Sequence, residues 1–200
     1  MGRKSTEKKR YVDADIRCLY SIKLLVFFQE NGIKGFSMSE LASNFNVSKT
    51  TLYNHFPSKK HMIEAALEYK LSTISDYKTV LFNKDLNYTE RLRKTLLFYC
   101  VQIFQLSRKL LIQIEESYPD IWKKVLLFQK NVIRDLEQYY QLGQRIGHYR
   151  KDVDPVLLTM NDSLFFELLS KGGGQKKYSN DLVNLINNYC DIKFSGIKNQ

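Results

Sequence analysis

Along this chain of 200 residues, apolar side chains recur three and four apart, and no stretch alternates apolar with polar residue by residue. That period is one face of an α-helix, so the pattern predicts an all-α fold, which the three prolines and nine glycines allow. Ile16, Tyr20, Leu24 and Phe27, with Phe28 beside them, mark a first helix from about 13 to 30. Asn31-Gly32 ends it, as glycine does at helix C-termini. A helix from 59 to about 81 is expected to run without a break near its middle, with Met62, Ile63, Ala66, Tyr69 and Ile74 on its buried side. After a loop at 83–87, a helix from about 89 carries the stripe Leu92, Leu96, Tyr99 and Ile103, widened by Leu97, Cys100 and Phe104. Further helices are predicted at 107–117, from Pro119 to about 145, at 155–170 and at 179–192, with the glycine-rich stretch 171–177 as a linker.

Residues 37–59 carry the most information. Ser37 is a good N-cap and Glu40 stands three residues on, the spacing of a capping box. Leu41, Ala42 and Phe45 follow at helical spacing, and Asn46-Val47-Ser48 breaks the run. Asparagine tolerates the left-handed conformation that such a turn needs. Ser48 then caps a second helix, Lys49 to about His55, and Pro57-Ser58 ends it and opens the next. Ala42 is small enough for two helices to cross closely, while Leu41, Phe45, Val47 and Leu52 close the angle. Lys49, Thr50, Tyr53 and Asn54 leave the outer face of the second helix polar. This is a helix-turn-helix, whose second helix enters the major groove of DNA. With the first helix it makes a homeodomain-like bundle of three.

The run Ser48-Lys49-Thr50-Thr51-Leu52-Tyr53-Asn54-His55-Phe56-Pro57-Ser58-Lys59 resembles the recognition helix and following turn of TetR-family transcriptional regulators. Gly32, Ser37, Glu40, Leu41 and Ala42 match the spacing of the same family, and the close resemblance covers roughly residues 15 to 65. Asn46 stands where the family usually has glycine, and Phe45 where it often has a small residue. The stretch from Gly143 to Pro155 resembles the family's link before its dimerisation helices.

The resemblance implies two domains: 1–58, a basic arm with the helix-turn-helix, and 59–200, a helical part for effector binding and dimerisation. It implies a homodimer that sets two recognition helices in successive major grooves of a near-palindromic, double-stranded DNA operator. Dimer contacts would then come from Leu157, Leu164, Phe165 and Leu168 on one helix and Leu182, Leu185, Ile186 and Tyr189 on the next. A ligand pocket would be lined by Tyr99, Cys100, Phe104, Trp122, Leu126 and Phe166, though aromatic residues at this spacing also serve as plain core. The expected effector is a small apolar or aromatic molecule, since few charges fall on the apolar faces.

On the DNA side, Thr50 and Thr51 are short groups able to touch bases or phosphates, and Thr51 equally suits packing against the first helix. Asn54 suits adenine or a phosphate, and Lys49 a phosphate or guanine. Tyr53 and Lys59 resemble the family's phosphate-contacting pair, with Ser37, Ser48 and His55 completing the candidate surface.

Charge agrees with an anionic partner. The chain carries a net +10, and residues 1–60 hold eleven Lys or Arg against five acids, leaving +6 there. The tail MGRKSTEKKRYV is either a solvated terminus or an arm on phosphates and the minor groove. Cys18, Cys100 and Cys190 are odd in number and far apart, which fits reduced thiols rather than a disulfide framework or zinc site. No signal peptide or membrane span is visible, so a cytoplasmic protein is expected. His55, His61 and His148 are scattered, and no nucleophile, phosphate-loop or metal spacing appears. Glu115-Glu116 suits a solvated face with one of the two turned inward. No enzyme, cofactor or metal is therefore expected. The alternative to a ligand-responsive repressor is a helix-turn-helix protein acting as an activator or through a protein partner.

Overall fold

The computed structural model describes residues 13–170 and 181–198. The basic tail, the glycine-rich linker and the predicted start of the last helix at 179 lie outside them. The described residues form ten helices and no strand. They belong to two compact units that divide between Lys70 and Leu71.

The first unit holds α1 (Ala14–Asn31), α2 (Met38–Asn44), α3 (Lys49–His55) and most of α4 (Lys59–Ser75). Asp13 caps α1, its carboxylate accepting from the Asp15 amide at 2.9 Å. Gly32 ends the helix at φ 79°, a left-handed value that glycine reaches without strain. Tyr20, Leu24, Phe27 and Phe28 are buried, as the period predicts. Ile16 is not: it lies in the first turn, ahead of Tyr20 where the packing begins, and is 41% exposed. Ser58 opens α4, its hydroxyl accepting from the His61 amide at 3.4 Å.

The helix expected to run to 81 is interrupted at Asp76, and a short α5 (Tyr77–Leu81) follows. The cause lies in Tyr77. Its ring is enclosed, and its hydroxyl donates to Asp135 Oδ2 at 2.7 Å, where the Lys78 ammonium also arrives at 3.2 Å. The turn at Asp76 redirects the chain to make both contacts.

The rest of the second unit is built on α6 (Tyr88–Phe104), which packs against α5 and two later helices, α9 (Pro155–Ser170) and α10 (Leu182–Ile197). Leu92, Leu96, Tyr99 and Cys100 bury its inner face. Between them come α7 (Arg108–Ser117), capped by Ser107, and α8 (Pro119–Arg145), with proline in its first turn. Tyr88 and Tyr139 tie α6 to α8 reciprocally: each hydroxyl donates to the other's carbonyl, at 2.5 and 2.9 Å, and the rings stack at 4.2 Å. Gly143 is required here, because a Cβ would lie 2.3 Å from the buried Tyr149 ring. Asp154 opens α9, accepting from the Val156 amide at 2.8 Å. The last helix runs to Ile197 rather than 192, since Phe194 and Ile197 also find places in the core.

One charge lies at the centre of this unit. Asp162 of α9 is wholly buried, as is nearly all of Lys193 of α10. The lysine Nζ donates to Asp162 Oδ1 at 2.5 Å and to the Leu158 carbonyl at 3.2 Å. The hydroxyl of Tyr189 donates to Oδ1 and that of Tyr140 to Oδ2, each at 2.7 Å. Burial pulls Lys193 below the usual lysine range, and the Asp162 carboxylate opposes that shift. Three helices thus meet on one carboxylate.

The three thiols differ in the same way. Cys18 is exposed, whereas Cys100 and Cys190 are buried. Burial pushes the Cys190 thiol up to about 11 and Cys100 well above its ordinary value. A thiolate-seeking disulfide reagent at pH 8 is therefore expected to modify one cysteine per native chain at once and the other two only on unfolding. Rapid reaction of all three in the native protein would contradict this packing.

Candidate nucleic-acid interface and ligand cavity

The helix-turn-helix forms as its local chemistry requires. Ser37 Oγ accepts from the Glu40 amide at 3.0 Å and the Glu40 carboxylate accepts from the Ser37 amide at 3.5 Å, completing the capping box. Asn46 takes the turn at φ 55°, and the Val47 amide closes it onto the Ala42 carbonyl at 3.0 Å. Ser48 Oγ accepts from the Thr51 amide at 3.0 Å, fixing the start of α3. Leu52 and Phe56 are wholly buried, which sets the rotation of the helix.

That rotation sorts the candidate residues. Lys49, Thr50, Tyr53 and Asn54 are exposed together on the outer side, with Ser37 and Ser48 exposed at the two helix starts. Thr51 is half-buried and its hydroxyl shares a 2.8 Å hydrogen bond with Ser48 Oγ, so it braces the cap. His55 also turns inward. Its ring meets Tyr20 edge-on at 5.1 Å, and its Nδ1 is enclosed with no hydrogen-bond partner. Lys59 has a structural task that the sequence did not reveal: its Nζ donates to the Phe36 carbonyl at 2.6 Å and lies 4.5 Å from the Phe36 ring centre. An ammonium has three N–H groups, so two remain for a phosphate. Nearby, the Arg17 guanidinium lies 5.5 Å from the Phe56 ring centre.

The second unit contains a cavity of about 450 Å³. Tyr99 and Ile103 come from α6, and Trp122, Gln129 and Ile133 from α8. α7 contributes Arg108, Leu111, Ile112 and Glu115, and α9 contributes Ser163, Phe166, Glu167 and Ser170. Of the residues expected here, Tyr99, Trp122 and Phe166 line it, and the Tyr99 and Phe166 rings meet at 4.7 Å. Cys100, Phe104 and Leu126 do not. Cys100 turns into the core instead, Phe104 packs partly against it, and Leu126 is exposed on α8. The lining also carries more charge than the sequence suggested, through Arg108, Glu115 and Glu167. The signal was present in α7, where residues 108, 111, 112 and 115 keep the spacing of one helical face.

On α9, Leu157, Leu164 and Leu168 are exposed, along with Met160. Val183 and Ile192 are exposed on α10. Phe165 and Tyr189 stack at 4.1 Å, which leaves both half-buried beside Leu182 and Leu185. Ile186 is enclosed within its own unit. Among the described residues no group of three or more His, Cys, Asp or Glu could hold a metal ion. No single helix among them is long and apolar enough to cross a membrane.

Comparison with known proteins bears on the first unit most directly. Residues 25–66, which contain α2, α3 and the start of α4, match the family described as bacterial regulatory proteins, tetR family. The chain is 29% identical over 100 residues to YvaF of Bacillus subtilis, an uncharacterized HTH-type transcriptional regulator, a match covering 48% of this chain and 53% of YvaF. It therefore spans only about half the length of that relative. Over 147 residues it is 20% identical to IcaR of Staphylococcus aureus, the negative transcriptional regulator of the biofilm operon icaADBC, covering 72% of this chain and 78% of IcaR. The fold is shared with a putative transcriptional regulator from Saccharomonospora viridis solved in complex with choline, at a TM-score of 0.76 and 17% identity over 94% of this chain and all of that one. The capped, outward-facing α3 and the match across it agree: residues 25–66 are a helix-turn-helix similar to that of the tetR family of bacterial regulatory proteins.

Proposed function

We propose that the protein is a repressor that binds a near-palindromic DNA operator as a homodimer and releases it when a small molecule enters the second unit. The observation that carries this reading is α3, capped by Ser48, anchored by Leu52 and Phe56, and presenting Lys49, Thr50, Tyr53 and Asn54 together. Lys49 and Tyr53 would hold phosphates, while Thr50 and Asn54 would meet base edges. The net charge of +6 on residues 1–60 supports attraction to the phosphate backbone. IcaR is a negative regulator, which favours repression over activation.

The dimer would form through the exposed apolar positions of α9 and α10, Leu157, Leu164 and Leu168 first among them. Phe165, Leu182, Leu185 and Tyr189 would border the contact, and Ile186 would support it from within. The effector would occupy the cavity between α6, α7, α8 and α9. Its binding would shift α4, which passes from one unit into the other, and so alter the separation of the two recognition helices.

Selection of bound sequences from a random DNA pool, at stated salt, tests the reading: enrichment of a near-palindromic site is expected. Enrichment of nothing above salt-sensitive background would turn attention to a protein partner. On the selected site, Tyr53→Phe is expected to weaken binding several-fold for all sequences alike and to lower the salt slope. Thr50→Ala is expected to change preference at one position of each half-site. Competition binding over single-base variants of the operator separates the two, and identical profiles would overturn this division of roles.

A further inference from the structure

The cavity carries two unlike charges on one of its helices. On α7, Arg108 and Glu115 stand seven residues apart on one face, with Leu111 and Ile112 between them. Seven residues are two helical turns, or about 10 Å along the axis. Both side chains are exposed, and neither makes an ion pair with any described residue. The third charge in the lining, Glu167, is already engaged in an interaction of its own. The rest of the wall is mainly apolar and aromatic, with Gln129, Ser163 and Ser170 as its uncharged polar groups. Trp122, in the first turn of α8, follows Glu115 by seven residues in the chain across the short link at Tyr118 and lines the same cavity.

A wholly apolar ligand seated here would cover a guanidinium and a carboxylate and give neither a partner, which is costly. A simple anion would satisfy Arg108 and leave Glu115, and a simple cation the reverse. We propose that the cavity takes an elongated zwitterion, with a carboxylate or similar anion at Arg108, a cationic amine at Glu115, and an apolar or aromatic body of about 10 Å between them. The planar guanidinium receives a carboxylate through two parallel hydrogen bonds. The indole of Trp122 adds a face that attracts the ammonium. This rests on the effector-responsive reading above and names the chemical class of the effector.

Three probes with one chain length test it: 8-aminooctanoate, octanoate and octylamine. Trp122 is the only tryptophan in the chain, so its emission reports occupancy of this cavity directly. The zwitterion is expected to bind about tenfold more tightly than either single-ended probe. Arg108→Gln should erase its advantage over octylamine, and Glu115→Gln its advantage over octanoate. Both positions are exposed, and circular dichroism checks that each variant keeps its fold. Equal binding by all three probes, no binding by any, or variants that keep the wild-type ranking would overturn the proposal. If octanoate or octylamine binds best and also lowers operator affinity, the zwitterion falls while the ligand-responsive repressor stands. If 8-aminooctanoate ranks as expected but leaves operator affinity unmoved, the cavity chemistry stands and the coupling to DNA fails.

Discussion

Asp162→Ala is expected to destabilise the second unit by about 3–5 kcal/mol, the usual consequence of removing one partner from a buried ion pair. The loss has three parts. The Lys193 ammonium is left buried with the Leu158 carbonyl, the Tyr189 hydroxyl at 3.5 Å and two aromatic rings near it, and no opposite charge. The hydroxyls of Tyr140 and Tyr189 lose their acceptor on this carboxylate. The joint between α8, α9 and α10 goes with them. A fall in Tm of roughly 10 °C follows for a chain of this size. Thermal unfolding followed by circular dichroism measures it, and a change below about 1 kcal/mol would mean that water reaches the pair. The paired replacement Asp162→Leu with Lys193→Met is expected to recover most of the loss, because it removes both charges together. Recovery would show that the single variant suffers from the stranded lysine more than from the missing bond.

The second large effect is expected on assembly. Leu164 is 65% exposed on α9, on the same side as Leu157 and Leu168. Under the proposed dimer, Leu164→Glu sets two like charges near a two-fold axis, where each copy meets the other. Sizing chromatography at micromolar concentration should then show monomers, and operator affinity should fall at least tenfold, roughly, since one recognition helix reads only half a site. Leu126→Glu is the control, an equally drastic change at an exposed leucine of α8 outside the proposed interface. Dimers from both variants would place the interface elsewhere.

How much of this was legible in the sequence depended on how local the cause was. The helix-turn-helix was written in adjacent residues: Ser37 with Glu40, Asn46 at the turn, and Ser48 before Lys49. Each is a bond or a backbone preference spanning four residues at most, and each formed as expected. The break at Asp76 was hidden, because it depends on Asp135, far along the chain, accepting from Tyr77. The cavity was legible in its aromatic residues, but not in which side of each helix faced it. Cys100 adjoins Tyr99 in the chain yet turns to the core, and only packing decides that. Asp162 and Lys193 each interrupt an apolar stretch, Asp162 just before Leu164 and Phe165, and Lys193 between Ile192 and Phe194. Opposite charges embedded in two apolar helices are the trace a buried pair leaves, but nothing local says that the two meet.

The division of the chain inside α4 has a practical consequence. Met62 and Ile63 are almost wholly enclosed and lie within the first unit, although they come after the helix-turn-helix in sequence. A fragment trimmed after Ser58 would discard these two buried side chains of the first unit. The smallest piece of this chain worth expressing for work on DNA therefore extends to Lys70, so most of the helix that runs on into the second unit has to travel with the first.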